Sequence, residues 1–118
     1  MAYETNFNFP DHKSGNTFDG LSFTIAVNGV AVDLTGASVS AYFRKDSIDG
    51  TVSLEMTTDN GKLTLNSPAT DGVINVAKQL VSLAWGTYYY DVRYVLADGE
   101  TKTRVGGSWT ITKVATNV

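Results

Sequence analysis

The stretch Gly86-Thr87-Tyr88-Tyr89-Tyr90-Asp91-Val92-Arg93-Tyr94-Val95-Leu96 decides how the rest of the chain is read. Tyr88, Tyr90, Val92, Tyr94 and Leu96 fall on one face and Thr87, Tyr89, Asp91 and Arg93 on the other, the period-two pattern of a half-buried antiparallel strand. Large side chains in a row on a single face require a second sheet to cover them. Asp98-Gly99 follows, a pair whose positive backbone angles suit a hairpin, and Glu100 to Thr112 returns with Val105, Gly107, Trp109 and Ile111 in alternation. An aromatic hairpin is therefore the centre of the fold.

Working toward the N-terminus, Ala77 to Ala84 has helical character, because Leu80, Val81 and Ala84 recur at three and four spacing. One or two turns are expected there. Before it, Val73 to Val76, Lys62 to Leu65, Val52 to Met56 and Ala37 to Arg44 read as strands, the last with Val39, Ala41 and Phe43 inward and Ser40, Tyr42 and Arg44 outward. Asn28-Gly29 and Asn60-Gly61 mark further hairpins, and Leu21, Phe23, Ile25 and Val27 form the inward set of another strand. Asp11 to Gly20 reads as a polar loop with one buried candidate, Phe18. Tyr3 to Phe9 alternates as a first edge strand, and Pro10 is expected to stop it.

Short strands with turn signals at intervals of about 8 to 12 residues describe a β-sandwich or small barrel. Tyr88 selects the sandwich: near the start of a strand that follows a short helical turn, it has the place of a tyrosine corner, whose hydroxyl bonds back to the preceding connection. The expectation is an all-β, immunoglobulin-like antiparallel β-sandwich of about eight strands with one short helical turn, filling residues 1–118 as a single domain. Residues 1–9 would be an N-terminal edge strand or arm and 21–114 the sandwich core.

Composition narrows the function classes. The absence of cysteine removes disulfides, thiolate metal sites and a cysteine nucleophile together. Twelve acidic residues stand against six lysines and three arginines that are scattered along the chain. Nucleic acid is therefore not expected as a partner, since phosphate binding needs a basic stripe. The N-terminus has neither a basic start nor an apolar run, and no stretch approaches the roughly 18 apolar residues of a membrane span, so neither a signal peptide nor a membrane partner is expected.

Catalytic patterns are missing as well. His12, flanked by Asp11 and Lys13, has only carboxylates to complete a transition-metal site and reads as a solvated loop histidine. Asp46, Asp49, Asp59, Asp71 and Asp98 sit in or beside turns, where aspartate bonds its own backbone. A calcium site built on Asp46 and Asp49 matches no calcium-loop spacing. Neither a Gly-x-Ser-x-Gly elbow nor a histidine-centred triad is present. No enzyme, cofactor or metal is expected.

What remains for function is surface chemistry. Tyr88, Tyr90, Tyr94, Phe23, Phe43 and Trp109 read as core, whereas Tyr42, Tyr89 and Trp85 point outward or sit in a connection. Large exposed aromatics are enriched at protein interfaces, and a sugar-binding platform uses the same side chains. Asp91 and Arg93 share the outer face of the central strand. Together with Tyr3, Phe7 and Phe9 of the N-terminal strand, these are the candidate interface residues.

Taken in order, Asp33-Leu34-Thr35-Gly36-Ala37-Ser38-Val39, Asn60-Gly61, Asp71-Gly72-Val73-Ile74, Leu83 to Val92, Asp98-Gly99 and Gly106-Gly107-Ser108-Trp109-Thr110-Ile111-Thr112 form a recognisable punctuation. It resembles the immunoglobulin-like domains of bacteriophage virion proteins, especially the N-terminal domain of upper baseplate proteins in tailed phages and small stand-alone tail and head relatives. The likeness covers residues 21 to 114. It implies a structural protein of the virion, made in the host cytoplasm, that docks onto other virion proteins in a tail, baseplate, neck or capsid surface as a homo-oligomer or ring. It supplies no catalytic residues. The alternative reading is a carbohydrate-binding module in which Trp85, Tyr42 or Tyr89 stacks on sugar rings.

Overall fold

The computed structural model describes residues 5 to 115. Thirteen strands follow in order: β1 (Thr5–Asn6), β2 (Phe9–Lys13), β3 (Thr17–Phe18), β4 (Leu21–Thr24), β5 (Ala26–Val27), β6 (Val30–Ala31), β7 (Ser38–Lys45), β8 (Val52–Thr57), β9 (Leu63–Leu65), β10 (Val73–Val76), β11 (Gln79–Leu80), β12 (Gly86–Val95) and β13 (Thr101–Thr112). Four of them, β8, β7, β12 and β13, form an antiparallel sheet in that order. On the far side of β13, β1 and β2 add one after the other in parallel. A smaller antiparallel sheet, β4-β10-β9, lies opposite, and the short pairs β11-β3 and β5-β6 complete an all-β sandwich.

The alternation of β12 does what its sequence requires. Tyr88, Tyr90, Val92 and Tyr94 are buried, and with Val39, Ala41 and Phe43 of β7 and Trp109 and Ile111 of β13 they form one inner wall. Phe23, Leu63, Ile74 and Val76 of the smaller sheet meet them in the same core cluster. No polar or charged residue is buried among the described residues. The tyrosines keep their hydroxyls bonded at the core's edge: Tyr88 donates to the Ala84 carbonyl at 2.7 Å, and Tyr90 donates to the Phe7 carbonyl. Both bonds run from the central strand to segments outside it, so each fixes a neighbouring stretch of backbone as well as satisfying a buried phenol.

Three expectations about local structure are corrected. Pro10 does not stop the first strand, because β2 runs through it. The ladder to β13 is irregular between Trp109 and Ile111, opposite the proline, so a missing N–H is tolerated there. The Pro10 carbonyl meanwhile accepts the Trp109 indole N–H at 3.0 Å. The Asp11 to Gly20 loop likewise contains the end of β2 and all of β3, with Phe18 buried as expected. Finally, residues 77–84 are not helical. Gln79–Leu80 pairs with Thr17–Phe18, and the helical turn among the described residues is a 3-10 turn at Ala69–Asp71. A segment of eight residues is too short to repay helix nucleation when a strand partner and a core position for Val81 are on offer.

The N-terminal segment is the larger correction. Phe9 lies in an aromatic cluster with Tyr90 and Trp109, each at 5.1 Å, and with Phe43 at 5.5 Å. Phe7 is half-buried against Phe9 and Phe23, at 5.7 and 5.5 Å. Phe7 and Phe9 therefore belong to the domain's own packing, while β1 and β2 hold the edge of the larger sheet as expected of an edge strand. Tyr3, the remaining interface candidate of this strand, lies outside the described residues.

Candidate functional site

The strand alternation that buries one face of β12 leaves the other to solvent, and the registers of β7 and β12 determine what meets there. Tyr89 stands opposite Arg44, Asp91 opposite Tyr42 and Arg93 opposite Ser40. Tyr42 and Tyr89 are thus diagonal neighbours across the strand pair, a separation of about 7–8 Å that long aromatic side chains can bridge. They are 42% and 36% exposed. A groove of about 310 Å³ lies between them, with Arg44, Asp91, Arg93 and Ile48 in its walls. Arg44 is held in place by donating Nη1 to the Gly50 carbonyl at 2.9 Å, which also ties the 46–50 turn beside the groove.

Of the expected surface residues, Tyr42, Tyr89, Asp91 and Arg93 come together here. Trp85 does not join them: it is 60% exposed, lines a separate depression with Ser14 and Ser82, and carries the Lys113 ammonium 5.8 Å from its ring centre. Sequence reasoning placed Arg44 and Ser40 on the outer face without giving them a role, and it missed Ile48, which arrives on a turn whose direction no strand pattern reports.

The groove's lining is mixed aromatic and polar. It offers two aromatic faces, two guanidinium groups, one carboxylate and a hydroxyl, with no nucleophile set beside a base. His12 is elsewhere, packed between Phe18 and Trp109 at 5.5 and 5.8 Å and donating Nε2–H to the Asn16 carbonyl at 2.8 Å. Among the described residues, no three His, Asp or Glu side chains lie close enough to hold a metal ion, and no helix is long and apolar enough to cross a membrane.

Fold and groove together define an all-β sandwich with an open polar and aromatic sheet face. Among solved structures the chain is similar to the crystal structure of CopC from Methylosinus trichosporium OB3b. The TM-score is 0.50 at 15% identity, over 92% of this chain and 87% of that one. A likeness at that identity is one of fold. No protein-family model and no curated protein sequence matches the chain.

These findings overturn the virion resemblance. The structural likeness leads to CopC and not to a component of a phage particle, and no family model supports a virion signature. The structural role in tail, baseplate, neck or capsid and the virion location fall together with it. The physical reason lies in the motifs themselves. Gly36 of the Leu-Thr-Gly-Ala element and Gly99 of the Asp-Gly element have φ of 73° and 91°, turn positions that favour glycine in any antiparallel sandwich. Such punctuation reports turn geometry, which unrelated sandwiches share.

Proposed function

We propose that this protein is a non-catalytic carbohydrate-binding module whose ligand lies on Tyr42 and Tyr89. One observation carries the reading: the groove sits in the middle of the larger sheet and not at its edge. Both strands beneath it are paired on both sides, β7 with β8 and β12, and β12 with β7 and β13. Their backbone amides and carbonyls are spent in the ladders, so a peptide cannot add to them as a further strand. Side chains alone are on offer, and these are flat aromatic faces ringed by hydroxyl, guanidinium and carboxylate groups. A sugar ring presents apolar C–H bonds on its face and hydroxyls at its rim, which matches that set: the tyrosines take the face, while Arg44, Asp91 and Arg93 take the rim.

Calorimetric titration with a panel of soluble oligosaccharides tests this. Tyr42→Ala and Tyr89→Ala should each weaken binding by about tenfold, the loss of one stacking contact of about 1.4 kcal/mol. Both positions are on the solvent side of the sheet, so the variants should keep the parent's melting temperature within a few degrees. Undiminished binding by the double variant would remove the groove from the mechanism.

A further inference from the structure

The groove does not close at its ends. On one side it shares Ser40, Tyr42 and Arg93 with a depression of about 230 Å³ walled by Thr57, Thr58 and Asp59. On the other it shares Ile48 and Tyr89 with a depression of about 430 Å³ walled by Asn6, Asn8, Asp46 and Ser108. Tyr89 therefore stands between two adjoining depressions, and the three follow one another across the sheet face as one trough. From Val95 to Tyr89 along β12 the trough covers about 20 Å at the rise of an extended strand, before crossing β13 toward the N-terminal strand.

We propose that the three depressions are successive subsites for a neutral linear polysaccharide, bound along its chain and not by its end. The proposal rests on the carbohydrate reading above and specifies the ligand. Length follows from continuity: a single sugar unit would use the central groove alone and leave both flanking depressions without a role. Neutrality follows from the charges. The lining holds two guanidinium groups, Arg44 and Arg93, against three carboxylates, Asp91, Asp59 and Asp46, so it offers no excess of positive charge to a chain with a carboxylate on every unit.

The far subsite is shaped for neutral hydroxyls. The Asn8 Oδ1 accepts from the Ser108 backbone N–H at 3.1 Å and from its hydroxyl at 3.4 Å, which turns the Asn8 amide N–H groups away from Ser108 as donors. Asn6 stands exposed at the end of β1, two residues before Asn8, which lies in the connection to β2.

The test is a calorimetric length series, disaccharide to hexasaccharide, of neutral glucan, mannan and xylan fragments, with an oligogalacturonate of matched length beside it. Affinity should rise by about tenfold or more from the shortest to the longest bound neutral fragment, and the oligogalacturonate should bind at least that much more weakly. Asn6→Ala combined with Asp46→Asn should flatten the rise. Asparagine tolerates the φ of 69° at position 46, and a matching melting temperature would certify the fold.

Equal affinity at every length would overturn the extended trough while leaving a sugar site at Tyr42 and Tyr89. Preference for the oligogalacturonate would overturn neutrality, and an undiminished length gain in the double variant would overturn the far subsite. Absence of binding by any saccharide would instead overturn the carbohydrate reading itself.

Discussion

The Tyr90 phenol is buried and donates to the backbone of the first strand, and the Tyr88 phenol donates to the connection that precedes β12. Burial raises the pKa of both, and at Tyr88 the Asp46 carboxylate adds a smaller push in the same direction. A raised value means that the folded state holds the proton more tightly than the unfolded chain does. The resulting stability is complete below the ordinary phenol value of 10 and is lost as pH rises from there through the folded-state values. Melting temperature should therefore hold level from pH 8 to 9.5 and fall steeply toward pH 11.5. Tyr90→Phe should lower stability at pH 8 by about 1–2 kcal/mol, through the lost bond to Phe7, and make the alkaline fall shallower. Thermal melts by circular dichroism across that range, on both proteins, measure it. The tryptophans supply a second test at this scale. Trp109 is fully buried, and Trp85 lines a depression apart from the trough. A saccharide in the Tyr42–Tyr89 groove should leave tryptophan emission nearly unchanged even at saturation, whereas a marked blue shift or quench would move the site to Trp85.

At the scale of elements, β1 and β2 tie the chain's start to its end. Their parallel pairing with β13 puts Phe9 against Trp109, and the Phe7 carbonyl occupies the space that a Cβ on Gly107 would need. Glycine is required at 107 because backbone passes over it. Gly107→Ala should push β1 off the sheet and destabilise the domain by several kcal/mol, and Phe9→Ala should cost about 3–5 kcal/mol through the hole left in the aromatic cluster. Deleting residues 1–9 should leave a protein that unfolds at room temperature or below, whereas a deletion variant with native near-ultraviolet dichroism would show β1 and Phe9 to be dispensable. Sequence pattern reveals β7, β12 and β13 almost residue for residue, because each is long, amphipathic and bounded by turn chemistry. Their outward parity alone also picks out Tyr42, Tyr89, Asp91 and Arg93. The pairing of β1 and β2 is not legible in the same way, since a strand's alternation says which faces it has and nothing about which strand it joins or in which direction. Asn8, Ser108 and Asp46 therefore give no sign of meeting: one comes from the start of the chain, one from near its end and one from a turn.

For the whole molecule, that closure dictates how it reaches the folded state. The ladders of the larger sheet join β7 to β8 and β12 to β13 locally, but they also join β7 to β12 across some fifty residues and β1 and β2 to β13 across about a hundred. Loop-closure entropy for the longest of these connections opposes folding before their contacts can repay it, and chains dominated by such pairings fold in milliseconds to seconds. The aromatic cluster of Phe9, Phe18, Phe43, Tyr90 and Trp109 draws on β2, β3, β7, β12 and β13 at once, so neither terminal region can keep its packing when the other lets go. The sandwich should consequently unfold as one unit. Trp109 fluorescence and far-ultraviolet dichroism should trace coincident urea transitions, and stopped-flow refolding should show both signals recovering at one rate. Since the closing strands pair last on this argument, Phe9→Ala should act mainly by speeding unfolding, with a change in folding rate smaller than about twofold. A mutant that instead folded tenfold more slowly and unfolded at the parent's rate would place the N-terminal strands in the folding nucleus, and the first and last elements of the chain would then have to meet before the central hairpin is complete.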